Sequence, residues 1–190
     1  MFVTKQFRFE SGIKFVLGWA VSFLIRLIPF RPPNIEPNIE PILAVQMPFS
    51  KKFGFLAGFF FAFLNIVLYD IITGKVGIWT LFTAMAYGLL ALFSVWYFKT
   101  RRRSYHFAIH ALYATVLYDA ATGLTIGPLF FGQSFASAFF GQIPFTLYHL
   151  AGNIAFGALV SPLIYRWVAD NRGLELGSLR QLFIPSHKTV

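Results

Sequence analysis

An eight-residue stretch that contains an acid and a hydroxyl occurs twice in the chain. Residues 67–74 read Val-Leu-Tyr-Asp-Ile-Ile-Thr-Gly, and residues 116–123, 49 positions later, match them at six of the eight positions. Each copy closes an apolar run with Asp-x-x-Thr-Gly, which predicts that Asp70 and Asp119 lie near the C-termini of two helices. A carboxylate there faces the negative end of the helix dipole and needs compensation. The pair therefore predicts either contacts at the lipid headgroup level or the lining of an external ligand cavity.

Other polar side chains interrupt the apolar runs. His149 and Asn153 are four residues apart and share one face of a predicted helix. An unpaired polar group is costly in apolar surroundings, so the pair predicts either interhelical hydrogen bonding or ligand binding, and the sequence favours neither interpretation over the other. His106 and His110 follow a basic cluster, which favours an interfacial position for them.

Aromatic side chains could stack on a planar ligand, although packing or an aromatic belt explains any single one of them. The candidates are Trp79, Tyr87, Tyr118 and Tyr148. The sequence contains no phosphate-binding glycine loop with lysine, no His-Glu-x-x-His and no Gly-x-Ser-x-Gly. No ligand spacing typical of a metal site occurs either, so the prediction is of a protein without a metal or cofactor and without its own catalytic activity.

The composition indicates the class of protein that must hold these residues. Hydrophobic residues make up 57% of the 190 positions, charged residues 12%, and there are 25 Phe and no Cys. A soluble core of this size cannot bury so many apolar side chains, which predicts an integral membrane protein. The net charge of +9 comes from short clusters between apolar runs. Membrane topology and anionic lipid explain such clusters, and nucleic acid is excluded as the expected partner.

The apolar runs predict an all-α membrane protein, a six-helix transmembrane bundle. The stretch 31–41 holds four prolines and favours an extended connection. The apolar piece that follows, 41–49, is too short to cross a bilayer as a helix and predicts a short, partly irregular second segment. A glycine-marked loop is expected over 123–132, and Gly141 or Pro144 is expected to divide the last segment. The predicted helices are 12–30, 53–73, 77–98, 104–122 and 133–168.

Positive charges predict the orientation of the bundle. With the amino terminus inside, 13 of the 16 Lys and Arg residues fall on the inner side and only Arg26, Arg31 and Lys75 on the outer side. Both termini are then cytoplasmic: residues 1–11 form a polar lead, 12–168 a single transmembrane domain and 169–190 a polar tail. Asp70 and Asp119 fall at the external end.

The order of motifs resembles one transporter family. It runs from Arg-x-x-Pro at the end of the first helix through Pro-Asn-Ile-Glu-Pro to Phe-Gly-x-x-x-Gly at residues 53–58. Asp-x-x-Thr-Gly-x-x-Gly-x-Trp-Thr follows at 70–80, and Ile-Pro-Phe-Thr with His149 comes at 143–149. Over residues 12–168 this pattern is similar to the substrate-binding S component of an energy-coupling factor transporter.

The resemblance implies a multi-pass protein in the plasma membrane of a prokaryote that captures a vitamin or related micronutrient from outside. Its implied partners are a transmembrane coupling protein and two cytoplasmic ATPases, which would hydrolyse the ATP. Small residues on the first helix form the docking surface in that family, and Gly18 and Ser22 are the counterparts here, although the usual alanine pair is absent.

Ligand contacts in that family come from external loops and the outer halves of helices. The implied substrate-binding residues are Asn34, Glu36, Asn38, Glu40, Asp70, Trp79, Asp119, Gln133 and His149. Asn153 joins them because it shares a helix face with His149. Two alternatives stay open, an intramembrane enzyme that acts on a lipid or isoprenoid and a structural membrane assembly protein.

Overall fold

The structure, a computed structural model, describes residues 12–27, 41–175 and 178. Throughout these residues the regular secondary structure is helical and no strand occurs, which confirms the predicted all-α class. A π-helical turn, Tyr165–Ala169, extends the last long helix, and a 3-10 turn follows at Arg172–Leu174. The α-helices are α1 (Gly12–Leu27), α2 (Ile42–Phe53), α3 (Phe55–Ile72), α4 (Ile78–Phe98), α5 (His106–Gly123), α6 (Ile126–Phe130) and α7 (Phe135–Ile164).

Among the residues that the structure describes, three helical stretches are long and apolar enough to cross a membrane. They are Phe55–Ile72, Ile78–Phe98 and Phe135–Ala169. Large apolar side chains cover their outer surfaces; on α7, for example, Phe140 is 70% exposed and Leu159 is 69% exposed. An apolar surface of this extent on long helices is typical of contact with lipid. The three helices support a membrane protein, and six crossings stay a prediction.

Helix α2 lies at the centre of the bundle. Residues 41–50 are all buried, and α2 packs against α1, α3, α4, α5 and α7. Its 12 residues make a helix about 18 Å long, shorter than the roughly 30 Å hydrocarbon core of a bilayer. The Gln46 amide nitrogen donates to the backbone oxygen of Tyr87 at 2.6 Å, which ties α2 to α4. The neighbouring helices thus supply the surroundings that so short a segment needs.

The predicted partly irregular segment 41–49 is wrong for residues 42–49, which lie in the regular helix α2 despite Pro48. A proline inside a helix leaves the carbonyl four residues earlier without its usual donor. That carbonyl belongs to Ala44, and it accepts a hydrogen bond from the Ser161 hydroxyl of α7 at 2.8 Å. A side chain far along the sequence therefore replaces the bond that proline removes, and the helix continues.

The segment after α5 also differs from prediction. The expected loop 123–132 contains the short helix α6, and α7 runs unbroken through Gly141 and Pro144, where a division was expected. The Ser134 hydroxyl caps α7 by accepting from the Ser137 backbone nitrogen at 3.2 Å. Proline removes only one hydrogen bond from a helix, and long helices in membranes tolerate that loss.

Two ion pairs connect the end of the described chain to the first two helices. Lys14 in α1 is 1% exposed at its side chain, and its ammonium lies 3.5 Å from the Glu175 carboxylate. Lys52 in α2 contacts the Asp170 carboxylate. A buried cation is stable only when it is paired, so Glu175 is the structural reason that α1 can bury Lys14.

Candidate ligand-binding site

Two hydrogen-bonded pairs connect α5 to α7 inside the bundle. The Asp119 carboxylate lies 2.8 Å from His149 Nδ1, and Asn153 Nδ2 donates to the Thr115 hydroxyl at 2.9 Å. Thr115 and Asp119 are one helical turn apart in α5, as are His149 and Asn153 in α7. The pairs therefore form successive rungs between the two helices. All four side chains are buried, with 1% to 4% exposure.

His149 extends this contact to a third helix. Its Nε2 lies 3.1 Å from the Tyr87 hydroxyl of α4. A neutral imidazole satisfies both contacts if Nδ1–H donates to Asp119 and Nε2 accepts from the Tyr87 hydroxyl. An imidazolium also satisfies both by donating twice, and it then neutralises the carboxylate. The carboxylate, the imidazole and the phenol thus form one hydrogen-bonded chain across α5, α7 and α4.

Aromatic rings enclose the imidazole. The ring centroids of Tyr87 and Tyr118 are 4.1 Å apart. Tyr118 and Phe145 each meet the His149 ring edge to face, with centroids 5.8 Å away. These rings exclude water from the network, which strengthens its electrostatic interactions. Of the aromatics predicted to stack on a ligand, Tyr87 and Tyr118 lie at the network, whereas Tyr148 is 61% exposed.

Two acceptor atoms of the network are left over. Asp119 Oδ2 and Asn153 Oδ1 are buried, and in the part of the chain that the structure describes neither has a hydrogen-bond partner. A buried acceptor without a donor costs about 1–3 kcal/mol, and an ionised one costs more. Each of the two α5–α7 rungs thus holds one oxygen that a hydrogen-bond donor or a cation would satisfy.

Asp70, the acid of the first repeat, is compensated differently. Its Oδ2 accepts from the Thr80 hydroxyl at 2.5 Å, and the same hydroxyl accepts from the Gly77 backbone nitrogen at 3.1 Å. Thr80 lies in the first turn of α4, where the helix dipole is positive. The dipole of α4 therefore offsets that of α3. Thr80 and Tyr87 are seven residues apart, about 10 Å along α4, so Asp70 lies outside the His149 network.

Trp79 and Gln133 belong to a separate, exposed group. The Trp79 ring is 42% exposed and lies 6.1 Å from Phe131. The Gln133 amide nitrogen contacts the Ser137 hydroxyl at 3.4 Å. Phe82 in α4 and Phe130 in α6 also meet, with centroids 5.0 Å apart. Contacts between α4 and the α6 region thus cover one end of the bundle.

Four of the predicted substrate-binding residues lie outside the residues that the structure describes. They are Asn34, Glu36, Asn38 and Glu40.

The proposed docking residues, Gly18 and Ser22, pack within the chain. A Cβ at Gly18 would lie 2.5 Å from the Phe49 ring, and Ser22 is fully buried. Docking through these two residues stays a prediction, and it requires α1 to separate from α2.

Sequence reasoning missed one member of the network and misplaced another polar group. Thr115 is the missed member; its position one turn before Asp119 was the available signal. His110, expected at an interface, is fully buried, and its Nε2 lies 3.1 Å from the Ser94 hydroxyl. His106 is partly buried and lies 3.2 Å from the Tyr97 hydroxyl.

The ionisable side chains do not gather as metal ligands do. Among the described residues, no group of three or more His, Cys, Asp or Glu side chains could hold a metal ion. Comparison of the chain with protein-family models, with curated protein sequences and with solved structures gave no match. The function must therefore be inferred from the chain's own residues.

Proposed function

We propose that the protein is the membrane-embedded substrate-capture subunit of an energy-coupling factor type uptake transporter for a vitamin or related micronutrient. In this proposal a six-helix bundle spans the plasma membrane of a prokaryote with both termini in the cytoplasm. Ligand binds from the external face, and a transmembrane coupling protein with two ATPases supplies the energy. The order of motifs from the first helix to His149 supports the family, and the distribution of Lys and Arg supports the orientation.

The observation that carries the proposal is the pair of unpaired oxygens, Asp119 Oδ2 and Asn153 Oδ1, inside an apolar bundle. A protein that needed only interhelical hydrogen bonds would gain stability by satisfying or removing them. A ligand that donates hydrogen bonds to both recovers about 1–3 kcal/mol at each oxygen. The cost that the free protein bears thus becomes affinity for a ligand with the complementary groups.

The chemistry of the network defines the expected ligand class. Asp119 favours a cationic or N–H-bearing group, and Asn153 favours a second hydrogen-bond donor at the neighbouring rung. Tyr118, with its ring beside His149, favours a planar ring in the ligand. We therefore expect a small heterocyclic micronutrient that carries at least two hydrogen-bond donors.

Ligand access requires the bundle to open. Asp119, Tyr87 and His149 are 1%, 2% and 4% exposed, so the described conformation is closed. Asp119 lies one turn before the end of α5, and α6 follows. The contacts Trp79 to Phe131 and Phe82 to Phe130 hold α4 to the α6 region at this end. We expect these aromatic pairs to separate when the bundle opens at this end.

Native mass spectrometry of the full-length protein, purified in mild detergent from cells that express it, tests the proposal. The wild-type protein is expected to carry a noncovalent small-molecule adduct. Asp119→Asn is expected to lose the adduct, because the substitution removes the acceptor charge. Asp70→Asn, the matched change in the other repeat, is expected to retain it. Thermal unfolding of both variants separates loss of ligand from loss of fold, and Tyr87→Phe is a second, milder variant of the network.

The outcomes separate the possible errors. An adduct that survives Asp119→Asn but not Asp70→Asn would transfer the site to the first repeat. Absence of any adduct from the wild-type protein, together with no co-purifying coupling protein or ATPase, would overturn the transporter function and leave the intramembrane enzyme and the structural assembly protein.

A second candidate function, an intramembrane enzyme, is favoured by the chain from Asp119 through His149 to the Tyr87 hydroxyl. A carboxylate and an imidazole in this order can withdraw a proton from a hydroxyl. The enzyme predicts turnover of a lipid or isoprenoid by the purified protein and its loss in Tyr87→Phe. The transporter predicts that a bound molecule is released chemically unchanged.

A further inference from the structure

A basic cleft of about 450 Å³ opens where α2 ends, beside the end of α4 and the π-helical turn. Its cations are Lys51, Lys52, Lys99 and Arg102. Its other lining residues are Phe98, Tyr165 and one acid, Asp170. The volume lies within the range of about 300–1,000 Å³ that small-molecule sites occupy. The cleft is a different site from the His149 network and shares none of its residues.

Among the described residues, three of the four cations of the cleft form no ion pair with an acid. Lys52 contacts the Asp170 carboxylate, and the hydrogen bond from Lys52 holds the pKa of that carboxyl below its usual range. Asp170 therefore stays ionised near neutral pH and offsets one charge. Lys51, Lys99 and Arg102 give the cleft an excess of three positive charges. A cleft lined by charges of one sign concentrates its field and attracts counterions.

Lys51 is held in place by aromatic rings and not by an acid alone. Its ammonium lies 4.5 Å from the Tyr165 ring centroid, 4.8 Å from that of Phe107 and 5.0 Å from that of Phe98. Cation–π contacts with several faces fix the ammonium while leaving its charge unneutralised. A long lysine side chain is usually mobile, so this arrangement lowers the entropy cost of binding an anion at Lys51.

We propose that this cleft binds a phosphate group that carries about two negative charges. Three oxygens of such a group match the donors available: Arg102 offers a planar guanidinium that can bind two oxygens at once, and Lys51 and Lys99 act as point charges. A singly charged carboxylate would leave two cations unbalanced. The phosphate can belong to a lipid headgroup or to a soluble phosphate ester, since both present the same oxygens.

Non-specific attraction of anions by the basic cluster, without a shaped binding site, predicts a different result for substitutions of its cations. In that case every cation of the cluster 99–103 would attract anions equally, as expected for basic residues at a membrane surface. The cleft distinguishes among them, because Arg102 lines it and Arg103 does not, although both are exposed. Arg101 does not line it either; its guanidinium lies over the Tyr97 ring, 4.3 Å from the centroid.

The test measures binding of defined probes by native mass spectrometry of the full-length protein in detergent. The soluble probes are inorganic phosphate and glycerol 3-phosphate, and the lipid probes are phosphatidic acid, phosphatidylglycerol and phosphatidylcholine. Phosphatidic acid is expected to bind more tightly than phosphatidylglycerol, because its terminal phosphate carries the larger charge. Arg102→Gln and Lys99→Gln are each expected to raise the dissociation constant at least about tenfold. Arg103→Gln, with the same change in net charge, should alter it less than about twofold.

The results also separate the two sources. Tight binding of phosphatidic acid with weak binding of glycerol 3-phosphate identifies a lipid headgroup, and comparable binding of both identifies a soluble ester. Equal effects of Arg102→Gln and Arg103→Gln, or no binding of any phosphate probe, overturn the proposal. Because Lys99 and Arg102 are exposed, both variants are expected to fold, and thermal unfolding verifies it.

Discussion

In both Tyr-Asp-x-x-Thr-Gly stretches the threonine hydroxyl donates to the carbonyl of the tyrosine four residues earlier. The distance is 2.7 Å from Thr73 to Tyr69 and 2.9 Å from Thr122 to Tyr118. Each bond closes the last turns of its helix and depends only on residues within the repeat. The two copies therefore share their local structure, as near-identical sequences should.

The acids and tyrosines of the two copies have unrelated partners. Asp70 contacts Thr80 at the start of α4, whereas Asp119 contacts His149 in the middle of α7. Arg26 of α1 lies over the Tyr69 ring, 4.1 Å from its centroid. Tyr118 lies beside other aromatic rings instead. The aspartate thus contacts the start of a helix in the first copy and belongs to a buried network in the second. The difference arises because different helices pack against the two copies.

The glycines differ in the same way. Gly74 has a φ angle of 68°. The backbone nitrogen of Lys75, the next residue, donates to the Asp70 carbonyl at 2.8 Å, so that α3 ends in a Schellman motif. Gly123 is the last residue of α5 and allows a close approach; a Cβ there would lie 1.8 Å from Gln142 Oε1. One glycine is required for its backbone angle and the other for its small size.

The largest expected difference between the copies concerns the partners of the two acids. His149→Ala leaves the Asp119 carboxylate buried without a partner and is expected to lower the free energy of unfolding by about 3–5 kcal/mol. Thr80→Ala removes the equivalent partner of Asp70 but leaves the positive end of α4, so the loss should be about 1–2 kcal/mol. Reversible unfolding in mixed detergent measures both. A larger loss for Thr80→Ala would show that the repeats have been assigned the wrong roles.

The glycines give the next largest effect. Gly74→Ala places a Cβ at a positive φ and should cost about 1–2 kcal/mol. Gly123→Ala should cost less than about 1 kcal/mol, because the atom that it meets is the end of a flexible glutamine side chain that can rotate away. The same unfolding measurement applies, and Gly123→Ala in a Gln142→Ala background should have no further effect. A larger loss for Gly123→Ala than for Gly74→Ala would show that the second copy, and not the first, requires glycine for its backbone angle.

A hydroxyl deletion provides a smaller, cleaner contrast. Tyr87→Phe removes the hydrogen bond to His149 and is expected to lower stability by about 0.6–1.7 kcal/mol, the range for interhelical hydrogen bonds in membranes. Tyr69→Phe keeps the ring under Arg26 and should change stability by less than about 0.5 kcal/mol. Equal losses would mean that the Tyr87 hydroxyl contributes no more to stability than that of Tyr69, which is half-buried.

Much of the fold follows from the sequence because its signals are local. The predicted helices 53–73, 77–98 and 104–122 agree with α3, α4 and α5 to within two residues at each end. Long apolar runs bounded by glycines or basic residues determine them. Helix α2 was not predictable in this way, since its regularity at Pro48 depends on Ser161, which is 117 residues from Ala44. Composition and local sequence pattern do not predict a contact between residues so far apart in the chain.

The site was predictable to the level of helix faces. Spacing alone placed His149 beside Asn153, and Asp119 in the last turns of its helix. It did not reveal that Asp119 meets His149 or that Asp70 meets Thr80, because packing selects those partners. The threonine bonds are the opposite case, since both donor and acceptor lie within the repeat.

The smallest expected effect tests whether the two threonine hydrogen bonds involve only residues of their own repeat. Thr73→Val and Thr122→Val each remove a hydroxyl bonded to the carbonyl four residues earlier, and valine keeps the branched shape. A hydroxyl of this kind contributes little in a helix, so each variant should change the free energy of unfolding by less than about 0.5 kcal/mol. The two changes should agree within about 0.3 kcal/mol. Agreement is required because neither bond involves another helix. A clearly larger loss for Thr122→Val would mean that its hydroxyl supports the Asp119 network as well as its own turn, and the difference between the copies would then extend to the one interaction that they share.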